Sequence, residues 1–179
     1  MSYCDDAPGH PWHGPYHGEE YGFPLGNDDA LFERLVLEIN QAGLSWLTVL
    51  RKRAAFTAAY AGFRIDAVAG FSAADRARLL ADAGIIRNRL KVNAAIENAR
   101  RLVSLRGEFG SFGGWLDAHH PLALDDWVGL FRKTFVFTGG EIVNEFLMST
   151  GYLPGAHEPG CPVYARIAAL RPPWMRAGS

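Results

Sequence analysis

The residues of this 179-residue chain that could carry chemistry are few and widely spread. Glu38 is the first. It lies three residues after Leu35 and seven after Leu31, so a helix puts all three on one face. That face reads as buried, where a carboxylate is costly unless it is paired, hydrogen-bonded or given a task. Spacing alone leaves two readings open: a glutamate tilted to the helix edge and solvated, or a buried acid kept for recognition or proton transfer. Trp46 and Tyr16 are of the type that stacks on planar ligands, although periodicity equally suits Trp46 to a core. Cys4 and Cys161 are the only cysteines, and His17 and His157 can be matched with them. A Cys2His2 set satisfies a tetrahedral structural zinc. Spacings this wide also suit free thiols and incidental histidines.

Charge is uneven although the formal net value is only −1. Residues 1–33 hold seven acids and no Lys or Arg, whereas residues 51–106 hold twelve bases against four acids. The basic segment includes Arg51-Lys52-Arg53, Arg87, Arg89, Lys91, Arg100 and Arg101. It is either a set of solvated helix faces or a surface that faces phosphates. Within it, Gly84-Ile85-Ile86-Arg87-Asn88-Arg89 reads as a tight connection between helices. Such a turn offers backbone N–H groups and a helix N-terminus to a phosphate, and Lys91 adds charge.

These groups need elements to hold them. With 49% apolar and 21% charged residues, the composition predicts one ordinary globular domain with its own core. No apolar run approaches the ~20 residues of a membrane span. The start Met1-Ser2-Tyr3-Cys4-Asp5-Asp6 has no secretory pattern, so reduced thiols in the cytoplasm are expected. Residues 1–27 lack periodicity and predict an irregular arm. Asn27 or Asp28 then caps a helix carrying Leu31, Leu35 and Ile39, which Gln41-Ala42-Gly43 ends. Ser45 opens a second helix that closes on the basic triplet. Further helices are expected at about 54–62, 66–70, 72–82, 89–106, 112–119, 125–133 and 139–150; Ser72 and Asp75 form a capping-box pattern. Thr134–Phe137 is a weak strand candidate. The fold class predicted is all-α, a single domain over 1–179, with the arm at about 1–27, a helical body at about 28–151 and a C-terminal tail at about 152–179.

Four segments are specific enough to compare with a family: Tyr16-His17-Gly18-Glu19-Glu20-Tyr21-Gly22; Leu37 to Arg53, with Gln41-Ala42-Gly43-Leu44-Ser45-Trp46 at its centre; Asp82 to Arg89 with Lys91 following; and His157-x3-Cys161. Together they resemble the bacterial 3-methyladenine DNA glycosylase I family of the helix-hairpin-helix superfamily, closely over about residues 1–101 and more loosely to about 161. The resemblance implies a base-excision repair enzyme that flips an alkylated nucleotide out of double-stranded DNA and hydrolyses its N-glycosidic bond, with free 3-methyladenine as product. It implies Glu38 as the base-recognition and catalytic carboxylate, with Tyr16, Trp46 and Tyr21 as its partners on the base. The hairpin residues Gly84, Ile86, Arg87, Arg89 and Lys91 would anchor the DNA backbone. Gln41, Gly43 and Leu44 would wedge into the space the base leaves, Leu44 as the apolar tip. Cys4, His17, His157 and Cys161 would hold a structural zinc. A monomer with no membrane association is expected.

The sequence also departs from the family pattern. Asp6 and Tyr21 stand where the family usually has Trp, which removes part of an aromatic wall and makes Trp12 a candidate substitute. Gly140-Glu141-Ile142-Val143-Asn144-Glu145-Phe146 stands where the family tends to read Pro-Thr-x-x-Tyr-Ala-Phe, so Glu141, Asn144 and Glu145 are polar replacements. Phe109-Gly110-Ser111, where related superfamily enzymes often carry a catalytic Asp, holds no acid; the next is Asp117. An N3-alkylated base is already a good leaving group, so flipping, stacking and a positioned water suffice. No lyase activity is expected. Two alternatives remain at this point: a glycosylase for another alkylated base, and a lesion binder without turnover.

Overall fold

The computed structural model describes residues 2–176, and over these the chain is all-helical without a strand. Two short helices, α1 (Tyr3–Asp6) and α2 (His13–Glu19), lead into α3 (Asp28–Gln41) and α4 (Trp46–Ala59). A 3-10 turn (Ala61–Phe63), α5 (Ile65–Ala69) and α6 (Ala73–Ala81) precede the long α7 (Arg89–Phe109). Then come α8 (Phe112–His119), α9 (Leu124–Thr134), α10 (Gly140–Ser149), α11 (Pro162–Leu170) and α12 (Pro173–Arg176). No helix among the described residues is long and apolar enough to cross a membrane.

Helix α3 is the centre of the fold. Every residue from Arg34 to Asn40 is buried, because α4, α5, α7, α8 and α10 all touch it. Asn27 is the cap, its side chain accepting the Ala30 N–H at 3.1 Å. Asp28 has a different task. Its carboxylate accepts the N–H groups of Phe112 and Gly113 at 2.8 and 3.1 Å, which seats the N-terminus of α8 on α3 with favourable dipole sign. Behind α3 the rings of Phe112, Trp115, Phe131, Phe135 and Phe146 meet at 5.2–5.7 Å between centroids.

Three expectations are corrected. The arm is not irregular throughout: α1 and α2 lie within it, and α11 and α12 lie in the tail. Helix α4 does not end at the basic triplet but runs on to Ala59, taking in most of the element expected at about 54–62. Arg53 explains this, because it turns inward onto Glu20 and Glu33, each at 2.7 Å, and Arg34 joins the same Glu20 at 3.3 Å. This network fastens the arm to α3 and α4. Lys52 points the other way and donates to the Ala83 and Gly84 carbonyls at 3.3 and 3.4 Å. At the strand candidate, Thr134 closes α9 and residues 135–137 form a bend. Asn98, fully buried, both accepts from and donates to the backbone of Val136 at 2.8 and 3.0 Å, taking the place of a strand partner. The Ser72–Asp75 capping box is present as read.

Candidate functional site

A cavity of about 480 Å³ opens beside the C-terminal half of α3, lined by Tyr3, Tyr16, Tyr21, Glu38, Gln41, Trp46, Glu141, Asn144 and Glu145. This is the size of a small-molecule site. Glu38 reaches it from α3, Tyr16 from α2, Trp46 from the first position of α4, and the last three from α10. Gly43, at φ +77°, follows α3 in a left-handed turn that returns Trp46 to the cavity that Glu38 lines. The Tyr16 and Trp46 rings lie 5.1 Å apart, Tyr16 and Tyr21 5.7 Å, and Tyr3 and Tyr21 5.5 Å edge to face.

The polar groups here are underused. Glu38 is 4% exposed and its carboxyl has no hydrogen bond among the described residues. The Tyr16 hydroxyl and the Trp46 indole N–H are buried without a partner as well. Buried polar groups are nearly always satisfied, so two unsatisfied ones, beside a carboxyl with no protein hydrogen bond, mark a place prepared for a polar, planar guest. Burial, reinforced by the charge of Glu145 and opposed by Arg34, pushes the Glu38 carboxyl up to about 8. Arg34 lies over the Tyr16 ring at 5.1 Å.

Tyr3 is the residue that sequence reasoning missed. It supplies the aromatic wall that Asp6 does not, whereas Trp12, the expected substitute, is 44% exposed and lies outside the lining. Its hydroxyl pairs with His13 at 3.0 Å. A tyrosine next to a cysteine carries no periodic signal, so only the folded arm reveals it.

Beyond the cavity mouth, Gln41 and Leu44 close a tight turn, with Leu44 N–H donating to the Gln41 carbonyl at 2.8 Å and Gln41 Nε2 to the Leu44 carbonyl at 3.0 Å. The Leu44 side chain is 40% exposed. Lys91 corrects an expectation. It is not presented to phosphates but buried, its ammonium donating to the carbonyls of Asn40 at 2.8 Å and Ala42 at 2.6 Å. These carbonyls end α3, where a cation also meets the negative end of the helix dipole. Arg87 and Arg89 are exposed at the connection between α6 and α7. Gly84 lets this connection approach α4, since a Cβ there would lie 3.0 Å from that of Ala55. Ile86 packs partly buried on the core. Asn88 caps α7 by accepting from Leu90 and Lys91.

A second cluster stands behind Tyr16 and Tyr21. The ligand atoms of Cys4, His17, His157 and Cys161 all lie within 4.8 Å of one another and form a possible metal-binding group. His157 Nδ1 is 3.6 Å from each sulfur, and His17 Nε2 is 3.8 Å from Cys161 Sγ. A tetrahedron built with zinc–sulfur and zinc–nitrogen bonds of ordinary length has S–N edges of about 3.6 Å. His157 Nε2 donates to the Tyr21 carbonyl at 2.7 Å, which leaves Nδ1 as its ligating atom. Burial holds both imidazoles below their usual range and hence neutral, the form that binds metal. The donor set therefore fits a structural metal. Gly22 shows how tightly the region closes: at φ +86°, a Cβ there would lie 2.8 Å from that of Ala156 and 3.3 Å from the His157 ring.

Comparison with known proteins agrees with this arrangement. A family model described as methyladenine glycosylase matches residues 7–123. The chain is 34% identical to DNA-3-methyladenine glycosylase 1 of Escherichia coli (strain K12), over 92% of this chain and 97% of that protein. It is similar to the structure of 3-methyladenine DNA glycosylase I from Staphylococcus aureus that describes 3-methyladenine recognition, with a TM-score of 0.81 and 30% identity, covering 91% of this chain and 96% of that one. It is also similar to a variant 3-methyladenine DNA glycosylase I in complex with 3-methyladenine, with a TM-score of 0.80 and 28% identity, covering 91% and 97%. A match over most of its length and a likeness running nearly end to end show that the chain belongs to the methyladenine glycosylase family.

Proposed function

We propose that this protein is a monofunctional DNA glycosylase of base-excision repair that hydrolyses the N-glycosidic bond of 3-methyladenine in alkylated double-stranded DNA. The observation that carries the proposal is the unpartnered, buried Glu38 carboxyl sharing one cavity with the unpartnered Tyr16 hydroxyl and Trp46.

Within a nucleotide, N3-methylation gives the adenine ring a positive charge. In this reading the flipped base stacks on Trp46, with Tyr16 and Tyr21 at its edges, and its amine donates to Glu38. A cation in the cavity favours the ionised carboxylate, so Glu38 gives up its proton as the base enters. The bond from N9 to the sugar then breaks, its electron pair neutralising the base, and water adds to the oxocarbenium-like sugar and releases a proton to the solvent. A lyase would need an amine at that sugar carbon. No lysine lines the cavity, and the Lys91 ammonium is spent on two backbone carbonyls.

The DNA would lie across the mouth of the cavity. Leu44, presented on the Gln41–Leu44 turn, fills the vacated stack. The connection from Gly84 to Asn88 acts as the hairpin of a helix-hairpin-helix element, with Ile86, Arg87 and Arg89 meeting the phosphates. A zinc ion held by Cys4, His17, His157 and Cys161 would be structural, since four protein ligands leave no open position. We assign one domain to residues 1–179, acting as a cytoplasmic monomer. The test is incubation of the protein with methylated DNA and identification of released bases by mass spectrometry. Release of 3-methyladenine with an intact backbone is expected; no released base overturns the reading.

A further inference from the structure

The fold sends the members of the Arg51-Lys52-Arg53 triplet three ways. Arg53 turns inward to Glu20 and Glu33, and Arg51 is exposed. Lys52 is half-buried, and its ammonium donates to the carbonyls of Ala83 and Gly84 at 3.3 and 3.4 Å. These carbonyls lie past the end of α6, where the connection to α7 begins. Ala55 follows Lys52 on the same face of α4 and takes the close approach of Gly84, where a Cβ would lie 3.0 Å from that of Ala55. Helix α4 is thus the seat of the connection, which it holds by one contact of shape and one of charge. The same helix begins at Trp46, which lines the cavity. At 1.5 Å per residue, Trp46 and Lys52 are about 9 Å apart along its axis. The far side of the connection is tied as well. Lys91, in the first turn of α7, donates to the Asn40 and Ala42 carbonyls beside the Gln41–Leu44 turn. The two lysines therefore cross-link the connection, the turn and the pocket helix.

We infer that Lys52 is a positioning residue for DNA: it sets the Gly84–Asn88 connection at a fixed spacing from Trp46, so that a phosphate gripped there delivers its nucleotide to the cavity. The inference rests on the proposed function, with the cavity as base pocket and the connection as DNA hairpin, and adds the part that keeps the two in register. The Lys52 bonds are long and border on solvent, so they weigh little in overall stability, and their effect is on geometry. The ammonium touches carbonyls rather than phosphates. Its loss should change where the duplex sits and not how many counterions the duplex sheds. Misplacement by about 1 Å at a reacting centre is enough to cost a large factor in rate.

Lys52→Met keeps the aliphatic stem and loses the donors, whereas Lys52→Arg keeps charge and donors. Both are compared with the wild type in Tm, in calorimetric affinity for free 3-methyladenine, and in the salt dependence of binding to a duplex that carries a tetrahydrofuran abasic site. The fourth measurement is the single-turnover rate of 3-methyladenine release from a methylated duplex at saturating protein. Lys52→Met should lower that rate about tenfold or more and leave the other three at wild-type values. Lys52→Arg should recover most of the rate. An unchanged rate in Lys52→Met, or one that Lys52→Arg does not raise, overturns the inference. A salt slope lower by about one unit also overturns it, because Lys52 is then itself a phosphate contact. So does a Tm lower by several degrees, or a free-base affinity reduced by the same factor as the rate, because the lysine is then a general support of the fold. Absence of 3-methyladenine release by the wild type would sink the functional reading instead.

Discussion

The carbonyl oxygen of Tyr21 accepts the Nε2–H of His157 at 2.7 Å, so one backbone group joins the Cys4–His17–His157–Cys161 cluster to the wall of the cavity. Tyr16 precedes His17 in sequence, and Tyr3 precedes Cys4. Each pocket tyrosine of the arm therefore sits on, or next to, a residue of the cluster or its support.

Metal removal should consequently reach the pocket. Losing even about 3 kcal/mol of the binding free energy of a structural zinc would lower the Tm by roughly 6–12 °C in a chain of this size. Chelation, or Cys161→Ala, should produce that shift and weaken 3-methyladenine binding in calorimetry. Elemental analysis of the untreated protein should find one zinc per chain. An unchanged Tm on chelation together with metal-free protein would contradict the prediction.

Glu38 should make stability depend on pH with a definite sign. Its carboxyl is pushed up to about 8 in the folded chain, chiefly by burial, whereas an unfolded glutamate titrates near about 4.3. Between those values the folded state keeps a proton that the unfolded state releases. Stability is therefore full below about pH 4.3 and is lost as the pH rises through 8. Glu38→Gln has no such proton. Urea unfolding at pH 5 and pH 8 should show the variant gaining on the wild type by an amount on the order of 3 kcal/mol. Its affinity for 3-methyladenine should nevertheless fall about tenfold, because a charged acceptor has been lost.

Trp46→Ala should cost a comparable factor in 3-methyladenine affinity, since stacking of one base is worth about 1–3 kcal/mol. Trp46→Phe should recover most of it. Titration of tryptophan fluorescence is unsuited to the comparison, so calorimetry is the measurement.

Lys91 and Arg89 should separate cleanly. Arg89→Ala should lower affinity for all DNA sequences and reduce the salt slope by about one unit. Lys91→Met should leave the salt slope alone, because the ammonium is turned inward onto Asn40 and Ala42. It should instead destabilise the fold by about 1.5–3 kcal/mol and slow base excision, because the Gln41–Leu44 turn loses its brace. A changed slope in Lys91→Met would show that the side chain swings out to the DNA.

What could be read in advance was whatever a local pattern records. The Leu31–Leu35–Glu38 face, the Asn27 cap and the Ser72–Asp75 box depend on neighbours in sequence, and all are present. The end of α4 was not readable, because a basic triplet resembles a helix terminus until Glu20, far away in the chain, is found to neutralise it. Helices α1 and α2 span four and seven residues, too short for periodicity, and are held by ring contacts and by the packing of Cys4 and His17 against His157 and Cys161. Lys91 had a usable signal. It shares a stripe with Ala95, Asn98 and Leu102, all buried, and a long aliphatic stem allows a lysine to follow such a stripe inward. Of the site, Glu38, Tyr16, Tyr21 and Trp46 do meet in one cavity; Tyr3 was beyond any pattern.

The bridge of Glu20 to both Arg34 and Arg53, with Glu33 sharing Arg53, also bears on how this chain can change over generations. Two acids and two bases compensate each other across α3, α4 and the arm. Reversing the charge of one member strands its partners, Arg34 worst because it is 2% exposed. Single changes here are therefore expected to be disfavoured while matched pairs are tolerated, so the positions should drift together. The arm that carries Tyr16 and Tyr21 would inherit that constraint: its attachment to the helical body must be renegotiated in concert.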